Sequence, residues 1–255
     1  MMGGSSVGKN VGALDDVIED LVAANRILAS QGVVDGFGHV SARHPENPRH
    51  YLLSRARPPG CIEAADIMEF TLEGEAVDPR GRRPYNERFI HGALYEMRPD
   101  IDAVVHSHSP SVIPFGVVGE TLRPVLHMAA TIGSRVPVWE PRDRFGDTDM
   151  LVSDMAQGRD LARAVGAGTS ALMRGHGSVV AGRSLREAVY IAVYLEINAH
   201  LQLDALRFGK PINFLSPGEI EKILARQAKG RPAEGFDRAW EGWCNRAGVA
   251  FRRRG

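Results

Sequence analysis

His106 and His108 stand two apart at the end of the apolar run AVVHSHSP, residues 103–110. In a strand, residues i and i+2 point to one face, so both imidazoles can reach one ion. A third imidazole, His176, lies in RGHGS, where a glycine on each side lets the backbone bend and bring another group close. Upstream, Glu87 and His91 are four apart and share one face of a predicted helix. Three neutral imidazoles with open positions are a common arrangement for catalytic zinc, and they accept other first-row metals. Spacing alone also fits satisfied strand histidines, a lone turn histidine and a solvated helix carboxylate, and it does not choose between these readings.

Period and punctuation predict the elements that must position these residues. Leu14, Val17, Ile18, Leu21 and Val22 recur with helical spacing in residues 14–32, closed by Gly32. Residues 36–54 read as two short strands around a Pro/Asn turn, and 62–78 as a helical turn followed by a bent strand. Residues 86–100 predict a helix with Phe89, Ile90, Leu94 and Met97 inward and Pro99 at its end. A strand ending in His106 and His108 follows it after a short connection, so Glu87 can approach the pair from above. Residues 151–166 predict a helix, and 170–182 a strand kinked at Gly-His-Gly. A long helix over 184–209 has Ser184 at its N-cap and Glu187 three residues on, the capping-box pattern. A further helix and a Trp/Arg-rich tail close the chain. This order predicts one α/β domain with a mixed sheet over residues 13–255, after a Gly/Ser-rich segment, 1–12, expected to be disordered.

Bulk properties narrow the function. Zero formal net charge argues against a nucleic-acid footprint or an electrostatic pull to membranes, and no run reaches the roughly 18 apolar residues of a membrane span. The expected location is cytoplasmic. Cys61 and Cys244 lie far apart and form no CxxC, so a metal site here must rest on His and carboxylates. No GxGxxG follows a predicted strand, which removes the dinucleotide fingerprint. His127 sits in an apolar run and is expected to be a satisfied buried histidine.

The stretch E87-RFI-H91-GALYEMRPDIDAVVHSHSP, followed by LMRGHGSVVAG and SLREAVYIAVYLEINAHLQL, resembles the class II aldolase/adducin family over about residues 14–210. The resemblance implies a three-layer α/β/α fold with a central mixed, largely antiparallel sheet. It further implies a homotetramer with active sites at subunit interfaces. The roles it carries over are His106, His108 and His176 as metal ligands, with Glu87 as ligand or acid/base catalyst.

Phosphosugar aldolases of this family share a GN-x-S-x-R turn and a T-x-S-G loop, which offer amides and hydroxyls to a phosphate. Here the turn reads GFGHVSAR, with His39 in place of the Asn. The loop reads LLSRARPPG, which keeps Ser54 but brings in Arg55 and Arg57. Guanidinium groups favour carboxylates, though a solvated basic loop fits equally. The chain resembles the branch that decarboxylates ortho-hydroxy aromatic dicarboxylates, such as 3-hydroxy-2-methylpyridine-4,5-dicarboxylate of vitamin B6 breakdown or 3,4-dihydroxyphthalate, with the pyridine acid preferred. That resemblance implies a divalent metal, manganese or zinc, acting as Lewis acid. Glu87, its pKa raised by burial, is the first candidate proton donor and His39 the second. Arg55 or Arg57, beside Ser54, would hold the retained carboxylate. The alternatives are a metal-dependent aldolase cleaving a small hydroxy-aldehyde or hydroxy-acid, and a non-catalytic adducin-like assembly domain.

Overall fold

The computed structural model describes residues 11–229 and 232–252. The segment expected to be disordered lies outside the described residues, except for Val11 and Gly12, which already belong to the first helix. In chain order the elements are α1 (Val11–Ser30), β1 (His39–Arg43), β2 (His50–Ser54), β3 (Ile67–Thr71), α2 (Arg88–Met97), β4 (Ala103–Ser107), β5 (Val138–Trp139), α3 (Arg142–Phe145), α4 (Met155–Val165), β6 (Ser170–Met173), β7 (Gly177–Gly182), α5 (Leu185–Leu206), α6 (Pro217–Lys229) and α7 (Pro232–Ala247). The strands form one sheet in the order β3-β2-β1-β4-β7-β6-β5, antiparallel throughout except for the parallel β5/β6 pair.

Alternation along the strands divides the core into two layers. Val40, Ala42, Ala103, Val105 and Val180 face one side, where Leu21 and Ile27 of α1, Val189 of α5 and Trp240 of α7 cover them. Val104, Val179 and Ala181 face the other, against Ile90 and Leu94 of α2 and Leu161 of α4. Each fully buried aliphatic side chain contributes roughly 1.5–3 kcal/mol, so the sheet is held from both faces. This is the expected three-layer α/β/α arrangement. Helix starts follow the sequence: Asp154 accepts from the Gln157 N–H at 2.8 Å and Ser184 from the Glu187 N–H at 3.1 Å. The Glu187 carboxylate reaches the Arg183 N–H at 2.6 Å, one residue before the cap, so only half of the capping box forms as written.

Some local expectations are corrected. Residues 170–182 are not one kinked strand but the hairpin β6/β7, closed by a 3.0 Å bond from the His176 N–H to the Met173 carbonyl. Met97 is 40 % exposed, because the last turn of α2 lines an open groove of about 430 Å³ with Ala162 and Arg163. His127 opens a 3-10 turn whose later residues are buried, and is itself exposed rather than part of the core. The Trp-rich tail folds back as α7 on its own chain: Trp240 and Cys244 are buried, and the Arg186 guanidinium binds Asp237 and the Arg252 carbonyl. Among the described residues no helix is long and apolar enough to cross a membrane.

Candidate metal centre

The central strand β4 carries Val104 and Val105, β-branched residues suited to a sheet buried on both faces, and delivers His106 and His108 at its C-terminal end. The neighbouring β6/β7 turn brings His176 beside them. The Nε2 atoms of His106 and His108 lie 3.1 Å apart, and those of His108 and His176 lie 2.9 Å apart. Glu87, the N-cap residue of α2, places Oε2 3.4 Å from His106 Nε2 and 3.7 Å from His176 Nε2. One ligand atom from each of these four residues lies within 4.8 Å of the others. Two ligands of a tetrahedral zinc at about 2.0–2.1 Å are separated by about 3.3 Å, close to this spacing.

The orientation of the rings tests the fit of a cation. A carbonyl oxygen accepts and cannot donate, so His106 Nδ1–H donates to Ser178 at 3.1 Å and His176 Nδ1–H donates to Met150 at 2.9 Å. Both rings, taken as neutral, therefore turn an Nε2 lone pair inward, each held by a backbone carbonyl on its other nitrogen, as metal-binding histidines usually are. Two lone pairs and a carboxylate oxygen converge with only the His108 ring able to place a proton among them. Such a cluster of electron-rich atoms fits a divalent cation.

Electrostatics agree. Burial, then the neighbouring imidazoles, holds His108 at about 4 and lowers His176, so both are neutral at neutral pH. Burial pushes the Glu87 carboxyl up, but protonation in acid of the facing His106 and His176 rings in the metal-free site, together with the Val152 N–H, which bonds Oε1 at 3.1 Å, outweighs it and holds the group at about 2; a bound cation would take the place of those protons. The expected rise in the Glu87 pKa is thus corrected: the group is a carboxylate. It is also a buried residue at 7 % exposure, not a solvated helix charge.

His39 sits directly opposite His106 in the β1/β4 register, with ring centroids 5.0 Å apart. Ser54 ends β2, and its buried hydroxyl lies beside the Tyr85 phenol. The Arg55 and Arg57 guanidiniums converge on the buried Asp66 carboxylate at 2.5 and 2.6 Å, so this loop is neither free nor merely solvated. Tyr85 ties it to the histidines: its hydroxyl donates to the Arg57 carbonyl at 2.6 Å, and its ring lies 4.6 Å from that of His39. Tyr194 packs on Tyr190 and Trp243, while Glu196 accepts from the Ser111 N–H. Sequence reasoning placed His91 only by its spacing from Glu87, gave it no role, and overlooked Ser41 and Tyr95. Their signal was present in E-xxx-H-xxx-Y on α2 facing H-x-S on β1.

Residues 19–203 match the family described as Class II Aldolase and Adducin N-terminal domain. The decarboxylase tropJ of Talaromyces stipitatus is 34 % identical over 198 residues, covering 72 % of this chain and 74 % of its own length. The 3,4-dihydroxyphthalate decarboxylase of Arthrobacter keyseri is 32 % identical over 220 residues, covering 80 % and 85 %. The solved structure of L-fuculose 1-phosphate aldolase from Glaciozyma antarctica shares the fold with a TM-score of 0.75 at 22 % identity, covering 98 % of this chain and 97 % of that one. With its sheet order, its histidine cluster and these likenesses, the chain belongs to the class II aldolase and adducin family.

Proposed function

We propose that this protein is a metal-dependent decarboxylase of an ortho-hydroxy aromatic dicarboxylate, with 3-hydroxy-2-methylpyridine-4,5-dicarboxylate preferred over 3,4-dihydroxyphthalate. The observation that carries the proposal is the inward convergence of three imidazoles and an ionised Glu87, in a chain whose relatives include decarboxylases of 34 % and 32 % identity. His106, His108 and His176 would hold manganese or zinc, with Glu87 as a further ligand or as the base. When bound, the ion supplies Lewis acidity toward the oxygens of the substrate.

The chain's own groups handle protons and orientation. Glu87, being a carboxylate, accepts the proton of the ring hydroxyl and returns it to the ring carbon that loses CO₂. The bond from carbon to carboxylate breaks, its electron pair stays on the ring, and the returned proton forms the new C–H bond. His39 is the second candidate for the group beside the ring. Arg55, Arg57 and Ser54 form the proposed seat of the carboxylate that remains, and Asp66 holds both guanidiniums in place for it. A homotetramer with active sites at its interfaces belongs to the same proposal.

The test is CO₂ release from each of the two acids by protein reconstituted with manganese or zinc, with L-fuculose 1-phosphate assayed in parallel. Stoichiometric CO₂ from an aromatic acid, lost in His106→Ala, is the expected result. Cleavage of the sugar phosphate without CO₂ from either acid would replace the proposal with the aldolase reading.

A further inference from the structure

Helix α2 lays a polar stripe against β1. Glu87, His91 and Tyr95 recur every four residues on the helix, and His39, Ser41 and Arg43 every two on the strand. Four helical residues rise about 6 Å and two strand residues about 6.8 Å, so the two stripes stay in step. His39 Nδ1 lies 2.6 Å from His91 Nε2, His91 Nδ1 lies 2.6 Å from Ser41 Oγ, and Ser41 Oγ lies 2.8 Å from Tyr95 Oη. Ser41 and His91 are fully buried and Tyr95 is 1 % exposed, so the row is dry. Arg43 closes its far end, with its guanidinium over the Tyr95 ring and bonded to the Tyr95 and Arg98 carbonyls.

A row with one proton per link can run in only two directions. In one, Tyr95 donates to Ser41, Ser41 to His91 Nδ1, and His91 Nε2–H to His39 Nδ1. Every donor then has an acceptor. In the other, His39 Nδ1–H donates inward and the row ends on the Tyr95 hydroxyl proton. Among the described residues that proton has no acceptor other than Ser41. The second direction strands a buried donor and is disfavoured. His39 Nε2, on the ring edge away from His91, makes no hydrogen bond to another described residue.

We propose that Tyr95, Ser41 and His91 form a one-way hydrogen-bond chain that fixes His39 as the Nε2–H tautomer and presents that N–H to an anionic oxygen of the substrate. The identity of the target rests on the decarboxylase reading above, whereas the tautomer does not. His91 is then a positioning residue. The chain orients His39 and does not feed it protons, because burial holds the Tyr95 phenol far above its usual range and the head of the row keeps its proton.

The test is long-range proton–nitrogen NMR of the histidine rings in the zinc-loaded full chain, wild type beside Ser41→Ala and Tyr95→Phe. The expected result is a single Nε2–H tautomer of His39 in the wild type and a mixture in either folded variant. A wild-type His39 protonated at Nδ1 overturns the inference, as does a tautomer unchanged in both variants. Phthalate, which lacks the ring hydroxyl, reports binding alone. Tyr95→Phe should weaken its binding roughly tenfold, the loss of one charge-assisted hydrogen bond. Intact tautomer selection with no phthalate binding by the wild type would refute the anionic target while leaving the chain of bonds in place.

Discussion

The two glycines around His176 have different physical duties, and substituting them separately exposes the construction of the centre. A Cβ at Gly177 would lie 2.0 Å from the Ser107 carbonyl oxygen, 3.0 Å from its carbon and 3.1 Å from His108 Cα. Carbon–oxygen contacts in sheets close to about 3.3 Å, so β7 and the end of β4 would have to part by roughly 1.3 Å. That gap opens between His106, His108 and His176, where metal ligands tolerate displacements of only about 0.2 Å. The expected cost of Gly177→Ala is about 3 kcal/mol of stability, with at least about 100-fold weaker zinc binding. Gly175→Ala is the control. Gly175 takes φ +66° in the turn, and its Cβ would meet Met150 Cε at 3.6 Å and Val117 Cγ1 at 3.8 Å, both ordinary contacts. It should cost about 1–2 kcal/mol for the left-handed backbone and leave zinc affinity near wild type. Urea unfolding and zinc titration against a competing chelator measure both quantities. A Gly177→Ala protein within about 0.5 kcal/mol of wild type, with unchanged zinc affinity, would refute the close-approach reasoning.

Other outcomes follow from the charges. Burial, the first cause in each case, lowers the pKa of His39 and sets that of His91 at about 3, so both are neutral in the fold near pH 6 and protonated when unfolded below about 6.5. With His108 and His176 lowered in the same way, the unfolded chain binds up to four more protons, and metal-free stability should be greatest above about pH 7 and fall by roughly 4 kcal/mol per unit below about 6.5. Urea midpoints in chelator that stay flat between pH 7 and 5 would contradict this. Asp66, held at about 2 by Arg55, Arg57 and the Glu63 N–H despite burial, should cost about 1–2 kcal/mol when changed to Asn, since both arginines keep contact with water. Asp66→Asn also frees the two guanidiniums; phthalate affinity that does not change would remove Arg55 and Arg57 from the proposed carboxylate seat.

Much of the fold was legible because its signals are local. The α2 period, the valines of β4 and the Ser184 cap each appear within a few neighbouring residues, and the elements form where these place them. The hairpin at Gly175 was read as a kink because a three-residue reversal and a bend carry the same Gly-His-Gly letters; only the pairing of Met173 with Gly177 distinguishes them. The convergence of His176 on His106 and His108 spans some seventy residues and came from the family resemblance, not from spacing. The Glu87 charge state was misjudged because burial is a single-residue inference, whereas the groups that outweigh it, His106, His176 and Val152, arrive from three other parts of the chain. His91 was visible as a partner of Glu87 by spacing, but its contacts with His39 and Ser41 depend on α2 lying along β1, which no local pattern states.

The most direct test of the account is X-ray absorption at the zinc edge for the zinc-loaded protein, with His176→Ala beside it. The account predicts one ion per chain in a shell of nitrogen and oxygen ligands with outer scattering from three imidazoles, falling to two in the variant. A sulfur ligand, or an imidazole count untouched by the loss of His176, would contradict it.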